Sequence, residues 1–197
     1  MGKIFFVTGK SCTGKDTIFN RLVKNKQLGL KTIIGYTTRP MRDNETPGEA
    51  YNFVDDGTLE KLTKEGKVIE QRSYNTVYGV WHYFTVDDGK TDLKNNNYVY
   101  IGTLESYVKT AAYYGKEKVI PIYIEVEAGE RLLRAINREK QQDIPKYKEM
   151  CRRFLTDEED FKEENIIKAG IEKRYYNEDF EECLSRIVKD IKEQMKS

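Results

Sequence analysis

The sequence predicts an α/β fold in which helices flank a parallel β-sheet. Short apolar runs alternate along the chain with segments of helical periodicity, which is typical of parallel strands joined by helices. A glycine-rich loop lies between the first apolar run and the first helical segment. One block, residues 36–88, breaks the alternation and is rich in Thr, Arg, Asn, Gly and Tyr. This block predicts a small, mostly β insert.

The predicted core strands are the runs richest in β-branched and aromatic residues. They occupy residues 3–8, 31–34, 98–101, 119–124 and, with a weaker pattern, 171–176. Apolar residues at helical spacing predict helices at residues 17–23, 104–114, 130–140, 146–164 and 179–194. Within the first insert, strands are expected at 51–54 and 68–70 and a helix at 58–64. The acidic run 157–164 is expected to be a solvated helix face.

A second insert, residues 127–155, is helical in pattern and carries several arginines. The chain therefore divides into core segments 1–35, 89–126 and 156–197 around the inserts 36–88 and 127–155, all in one compact unit. A length of 197 residues is sufficient for one core with two small inserts.

The first loop has the composition of a phosphate-binding loop. Residues 9–17 read GKSCTGKDT, directly after a predicted strand and before a predicted helix. Glycines let the main-chain N–H groups curl toward anionic oxygens, and the helix N-terminus adds partial positive charge. Lys15 would neutralise the β- and γ-phosphates of a nucleotide. The alternative is a plain glycine-rich turn before an amphipathic helix, and the lysine in this position argues against it.

Asp16 stands where such loops usually carry a hydroxyl that contacts Mg²⁺. A carboxylate also suits the positive end of a helix, and this alone would explain the residue. Asp16 could bind Mg²⁺ through a water, or Thr17 could serve the phosphate instead. Because a carboxylate repels phosphate unless a metal intervenes, we expect Mg²⁺ dependence, with Asp16 or Thr17 as the candidate metal ligand.

Charge and composition argue against several function classes. The chain has 34 basic and 33 acidic residues, so its net charge is +1. We therefore expect neither a nucleic-acid polymer nor a membrane among its partners. The N-terminal residues do not have a signal-peptide pattern, and the three cysteines lack metal-type spacing. These features predict a cytoplasmic protein, either a monomer or a homodimer.

The first insert contains a second candidate site. Arg39 and Arg42 lie three residues apart with threonine hydroxyls nearby, and Tyr51 and Tyr78 follow. Guanidinium groups and tyrosine hydroxyls could converge on one phosphate. Surface arginines in a loop explain the spacing equally well. Glu70, at the end of an apolar run, would by itself be an ordinary edge carboxylate.

Taken together, these segments resemble the guanylate kinase family over nearly the whole chain. The resemblance is carried by residues 9–17 (GKSCTGKDT), 36–53 (YTTRPMRDNETPGEAYNF), 68–79 (VIEQRSYNTVYG) and 176–177 (YN), with Arg138 and Arg153 in the second insert. It implies a P-loop NTPase-type sheet, an insert that binds the nucleoside monophosphate acceptor, and a helical lid. The activity it implies is transfer of the γ-phosphoryl group of ATP to GMP or dGMP, giving ADP and GDP or dGDP.

The resemblance also implies a role for each matching residue. The ATP-binding set would be Gly9, Lys10, Ser11, Cys12, Thr13, Gly14, Lys15, Asp16, Thr17 and Asn177, the last near the adenine. The GMP-binding set would be Arg39, Arg42, Tyr51, Glu70, Tyr78 and Thr103. In that set Glu70 would accept from guanine N1 and N2, and the arginines and tyrosines would hold the acceptor phosphate. The catalytic set would be Lys15, Arg42, Arg138 and Arg153.

Several positions depart from the family pattern. Gly35 stands where a serine usually reads guanine, and Val80 where a hydroxyl usually follows the Tyr-Gly pair. Thr103, or Ile101 in a shifted alignment, stands where an aspartate commonly ends the third core strand. The segment from residue 70 to residue 78 is also one residue shorter than usual. The phosphate-binding half is therefore complete, while the base-reading half keeps chiefly its glutamate.

These departures leave two alternatives open. One is a P-loop kinase of another nucleotide or of a phosphorylated acceptor, because a changed base site could redirect specificity. The other is a catalytically silent guanylate-kinase-like binding module. The intact Gly9, Gly14 and Lys15 argue against the second alternative, because such modules commonly lose the phosphate loop.

Overall fold

Strands and helices alternate along the chain in the computed structural model, which describes residues 1–42, 45–76 and 79–196. The strands are β1 (Ile4–Thr8), β2 (Lys31–Thr32), β3 (Tyr36–Thr37), β4 (Asn52–Phe53), β5 (Val68–Thr76), β6 (Gly79–Val86), β7 (Tyr98–Ile101), β8 (Val119–Glu125) and β9 (Arg174–Tyr176). The helices are α1 (Lys15–Lys24), α2 (Asp56–Lys64), α3 (Leu104–Tyr114), α4 (Ala128–Lys140), α5 (Tyr147–Asp160), α6 (Glu163–Lys168) and α7 (Phe180–Gln194). Among these helices, none has the length and apolar content needed to cross a membrane.

A five-stranded sheet in the order β2-β7-β1-β8-β9 forms the centre of the fold. All of its strand pairs are parallel. The middle strand, β1, is buried along its whole length. A strand covered on both faces has a continuous apolar sequence, which is why IFFVT predicts it so clearly. The predicted parallel sheet flanked by helices is confirmed.

The alternation of side chains along β1 builds two hydrophobic cores, one on each face of the sheet. Phe5 packs in a cluster with Ile18 of α1 and Ile187 of α7. Phe6 lies on the opposite face and meets Tyr107 of α3 edge to face, with ring centroids 5.5 Å apart. Helices α1 and α7 therefore cover one face of the sheet, and α3 covers the other.

A second, four-stranded sheet in the order β4-β3-β6-β5 occupies the first insert. Strands β5 and β6 form a long antiparallel hairpin, and β3 joins β6 antiparallel and β4 parallel. Leu59 of α2, Phe84 and Val86 form a small separate core beneath this sheet. The insert is mostly β, as expected, but β3 and β6 were not among the predicted strands.

The predicted helix at residues 146–164 is wrong as a single element, because α5 ends at Asp160 and α6 begins at Glu163. The ring of Phe161 turns into the core and stacks on Tyr123, with centroids 5.8 Å apart. Burying this one ring interrupts the helix. The acidic run 157–164 is therefore not one continuous helix face.

Ile187 tests how strongly the sheet depends on α7. Its side chain is fully buried, so Ile187→Ala should lower the free energy of unfolding by about 2–5 kcal/mol through lost contacts and a residual cavity. Ile167→Ala makes the same change at an exposed position of α6 and should cost less than about 0.5 kcal/mol. Urea unfolding measures both. Equal losses in the two variants would contradict the packing described above.

Candidate active site

The loop between β1 and α1 has a main-chain conformation that only glycine permits at two positions. Gly9 has a φ of 155° and Gly14 a φ of 83°. A Cβ at Gly14 would lie 2.5 Å from Nδ2 of Asn177, and one at Gly9 would lie 2.5 Å from the carbonyl oxygen of Ile124. Both the backbone conformation and the available space therefore require glycine. The two glycines of the motif are explained by this close packing.

Asn177 supports the loop from behind. It is buried, its Nδ2 donates to the carbonyl oxygen of Thr13 at 2.8 Å, and its main-chain N–H donates to Glu125 O at 2.9 Å. The residue thus ties the end of the phosphate loop to the end of β8. Its predicted contact with ATP stays a prediction.

A cleft of about 660 Å³ runs from this loop to the second sheet. It lies beyond the carboxyl ends of the core strands, where open α/β sheets bind ligands. Its lining includes Gly9, Ser11, Lys15 and Asp16 on the loop side, Gly35, Gly102 and Thr103 after the core strands, and Tyr51, Arg72, Phe84 and Tyr100 on the opposite side. The two motif-bearing segments of the sequence therefore face one another across a single space.

Lys15 and Asp16 both line this cleft, with Lys15 Nζ 3.2 Å from Asp16 Oδ2. The side chain of Asp16 is 78% exposed, so a hydrated cation could reach it. The described residues contain no cluster of three or more His, Cys, Asp or Glu side chains suited to a metal. Mg²⁺ bound with nucleotides needs only one or two carboxylates, because phosphates and waters complete its shell. Asp16 fits such a site, whereas Thr17 is exposed and not among the described lining residues.

A family model described as guanylate kinase matches residues 1–194. The chain belongs to the guanylate kinase family. Family membership makes it a nucleoside monophosphate kinase, which is a phosphotransferase, and supports ATP-dependent phosphorylation of GMP.

Individual relatives agree with this assignment. The guanylate kinase of Malacoplasma penetrans is 28% identical over 184 residues, which cover 90% of this chain and 82% of the relative. The guanylate kinase of Neisseria gonorrhoeae is 36% identical over 111 residues, covering 56% of this chain and 51% of the relative. A crystal structure of guanylate kinase from Anaplasma phagocytophilum matches 98% of this chain and 87% of its own, with a TM-score of 0.64 and 24% identity. This last similarity supports the fold.

The predicted acceptor-phosphate residues of this guanylate kinase family member gather beside the cleft. Arg39 is buried, and its NH1 and NH2 donate to Glu45 Oε2 and Oε1 at 2.7 and 2.5 Å. The guanidinium lies 5.4 Å from the ring centre of Tyr51, which lines the cleft. Arg42 is exposed, and its main-chain N–H donates to the same Glu45 carboxylate at 2.9 Å. Tyr78 lies outside the described residues.

At the far end of the cleft, the predicted base-reading carboxylate is covered. Glu70 has a fully buried side chain, and its carboxylate accepts from Arg72, Thr85 and Ser106. Thr103 lines the cleft and caps α3 by accepting from the N–H of Ser106 at 3.2 Å. Arg72 is among the lining residues, and Glu70 is not. Direct contact of Glu70 with guanine therefore stays a prediction.

The two predicted lid arginines do not line the cleft. Arg138 on α4 and Arg153 on α5 are each about half exposed. Arg153 Nε donates to Glu149 Oε1 at 2.8 Å, and Arg138 NH2 lies 3.7 Å from Glu139 Oε1. Their predicted contact with the transferring phosphoryl group requires movement of the helices that carry them.

Two carboxylates at the end of α5 contact the phosphate loop directly. The N–H of Ser11 donates to Asp157 Oδ2 at 2.6 Å, and Lys10 Nζ donates to Glu158 Oε2 at 2.9 Å. The expectation that residues 157–164 form a solvated face is therefore wrong for these two positions. A phosphate group that binds the N–H of Ser11 must displace the carboxylate of Asp157.

The sequence analysis missed Arg72 and Asp157 as site residues. For Arg72 a signal was present, because it follows the predicted reader Glu70 by two positions in a strand, and such residues lie on the same face. For Asp157 no local signal distinguished it from the acidic residues around it. Its position follows only from how α5 packs.

The pairing of Arg39 with Glu45 should make stability depend on acid pH. Hydrogen bonds from Arg39 lower the pKa of Glu45 from about 4.5 to about 2. A carboxylate with a lowered folded-state pKa stabilises the fold above its unfolded pKa, and this contribution is lost as the pH falls. The stability difference between wild type and Glu45→Gln should therefore be constant near pH 7 and shrink between pH 4.5 and 2. Urea unfolding across this range measures it, and a difference independent of pH would contradict the pairing.

Removing the charge of Asp157 should strengthen nucleotide binding, because its carboxylate competes with phosphate for the N–H of Ser11. We expect Asp157→Asn to lower the Kd for ATP by about 2- to 10-fold, the value of one exchanged hydrogen bond. Isothermal calorimetry measures the change. Glu164→Gln removes the same charge from an exposed position on α6 and should leave the Kd unaltered. Unchanged or weaker binding by Asp157→Asn would exclude the competition.

Proposed function

We propose that this chain transfers the γ-phosphoryl group of ATP to GMP or dGMP, giving ADP and GDP or dGDP. The observation that carries the proposal is the single cleft lined by the phosphate loop on one side and by the acceptor sheet on the other. Phosphoryl transfer depends on positioning and charge neutralisation more than on covalent chemistry. A cleft that holds both substrates end to end supplies the positioning.

On the donor side, the loop N–H groups and the N-terminus of α1 bind the phosphates of ATP. Lys15 neutralises charge on the β- and γ-phosphates. Asp16 would hold Mg²⁺, which when bound supplies positive charge to the same phosphate oxygens. In this proposal Asp16 takes the place of the hydroxyl residue that such loops usually carry.

On the acceptor side, Arg39, Arg42 and Tyr51 bind the phosphate of GMP, together with Tyr78. The arginines already surround one carboxylate, that of Glu45. A phosphate monoester has similar charge and oxygen geometry, so it can take over guanidinium forks held by Glu45. No general base is needed, because the acceptor phosphate is itself nucleophilic.

The chain must also exclude water, since water would otherwise accept the phosphoryl group. We assign residues 36–88 to an acceptor-binding insert and residues 127–155 to a lid, with core segments 1–35, 89–126 and 156–197. Closure of the lid brings Arg138 and Arg153 to the migrating phosphoryl group. The cytoplasmic location and the monomeric or homodimeric state that the sequence predicts belong to this proposal.

A kinase acting on another nucleotide or phosphorylated acceptor is the second candidate. It is favoured by the base end of the cleft, where Gly35 contributes no side chain and Glu70 is bonded to protein donors. An ADP-release assay across the nucleoside monophosphates separates the candidates. Preference for GMP supports the first, and preference for a different acceptor supports the second.

Lys15→Met should abolish measurable phosphoryl transfer without unfolding the protein, because the lysine is a cleft residue rather than a core residue. Loss of a group that stabilises transition-state charge typically costs about 100-fold or more in kcat. Lys116→Met makes the same change at an exposed position before β8 and should retain full activity. Coupled ADP release measures both variants. Wild-type turnover by Lys15→Met would disprove the assignment of the loop.

A further inference from the structure

The carboxylate of Glu70 has no acceptor capacity left for a ligand. Oε2 accepts from Arg72 Nε at 3.0 Å, and Oε1 accepts from Arg72 NH2 at 3.2 Å, Thr85 Oγ1 at 2.8 Å and Ser106 Oγ at 3.0 Å. A carboxylate offers about four acceptor positions. The protein therefore fills them from within, and the side chain has no exposed surface.

Arg72 occupies the surface that a base-reading residue would need. Residues 70 and 72 are alternate residues of β5, so both side chains lie on the same face of the sheet. Glu70 lies opposite Thr85 on β6, and Arg72 lies opposite Tyr83. The guanidinium of Arg72 lines the same cleft as the phosphate loop, while the carboxylate behind it is buried.

The pairing with Glu70 leaves part of the guanidinium available. Arginine has five N–H donors. Nε and NH2 each direct one toward Glu70, so three remain, two on NH1 and one on NH2. NH1 lies 3.4 Å from Thr103 Oγ1, which is a long contact. The free edge formed by NH1 and NH2 therefore faces toward the cleft side of the pair.

This edge is held firmly in place. Tyr100 OH lies 2.6 Å from Thr85 Oγ1, which in turn donates to Glu70, so a chain of buried hydroxyls fixes the carboxylate. The two-point contact from Glu70 then fixes the plane of the guanidinium. A rigid planar pair of donors at the end of a cleft suits recognition of two adjacent acceptors.

We propose that Arg72 is the residue that reads the base of the acceptor, with its free NH1/NH2 edge donating to O6 and N7 of guanine. Glu70 acts behind it as a positioning residue. The inference rests on the proposed function for the identity of the substrate class. Arginine binds O6 and N7 of guanine with matching geometry. Adenine presents an amino donor at position 6, which would oppose the donors of Arg72, so the same edge rejects AMP.

Binding of nucleotide analogues to the wild-type protein gives the first test, with no ATP present so that the result does not depend on phosphoryl transfer. 7-Deaza-GMP lacks the N7 acceptor, and IMP keeps O6 and N7 but lacks the 2-amino group. Loss of one hydrogen bond to a charged donor should raise the Kd of 7-deaza-GMP about 10- to 100-fold above that of GMP. The Kd of IMP should stay within about threefold of that of GMP, because Glu70 is not available to the 2-amino group.

The opposite pattern would overturn the inference. If IMP bound much more weakly than GMP while 7-deaza-GMP bound equally well, Glu70 rather than Arg72 would contact the base. Failure of GMP to bind at all would also overturn it. GMP that binds in the expected pattern but is not phosphorylated in the presence of ATP would reject the proposed function and leave the base contact standing.

Variants of Arg72 give the second test. Arg72→Lys keeps a positive charge against Glu70 but lacks the planar donor pair. It should bind GMP about 10- to 100-fold more weakly and lose the difference between GMP and 7-deaza-GMP. Arg186→Lys changes an arginine of α7 that is about half exposed and 3.8 Å from Glu182, and should keep the wild-type ratio. A wild-type preference for GMP over 7-deaza-GMP in Arg72→Lys would disprove the role.

Discussion

The tight packing of the phosphate loop against the chain behind it is the constraint on which the rest of the site depends. Gly9 and Gly14 allow approaches that a single Cβ would block. Asn177 then fastens the loop to the end of the central sheet. Because β1 is buried on both faces, the loop that follows it cannot shift without disturbing the core. The position of α1, and of the lysine at its start, is therefore fixed before any nucleotide arrives.

The cations around the cleft are held by carboxylates of the same chain. Pairs of this kind are Lys15 with Asp16, Lys10 with Glu158, Arg39 with Glu45, Arg72 with Glu70 and Arg153 with Glu149. Where a pair lies at the proposed phosphate sites, substrate binding exchanges one anion for another. Such an exchange gives less affinity than filling an unpaired cationic site, but it keeps the basic groups ordered and correctly placed. At Arg72 the pair serves differently, because the carboxylate behind the guanidinium orients it toward the cleft.

Much of the fold could be predicted from local patterns, and the failures have physical causes. The continuous apolar run of β1 and the matched ends of α3 were evident because burial and helical spacing are properties of neighbouring residues. The break between α5 and α6 was not, since it depends on the ring of Phe161 stacking on a tyrosine of β8. The short strand β3 likewise depends on pairing with β6. Neither partner is visible from the residues themselves.

The sequence by itself determined the phosphate loop, the parallel core, the mostly β insert and the family to which the chain belongs, because each rests on residues close together in the chain. Only the tertiary structure decided that the loop and the insert share one cleft, that Asp157 lies on the loop, and that Arg72 covers Glu70. These contacts join residues from different elements, most of them far apart in the chain. A short segment states which chemistry is available, but the distance and orientation between two groups arise only when the elements that carry them pack together.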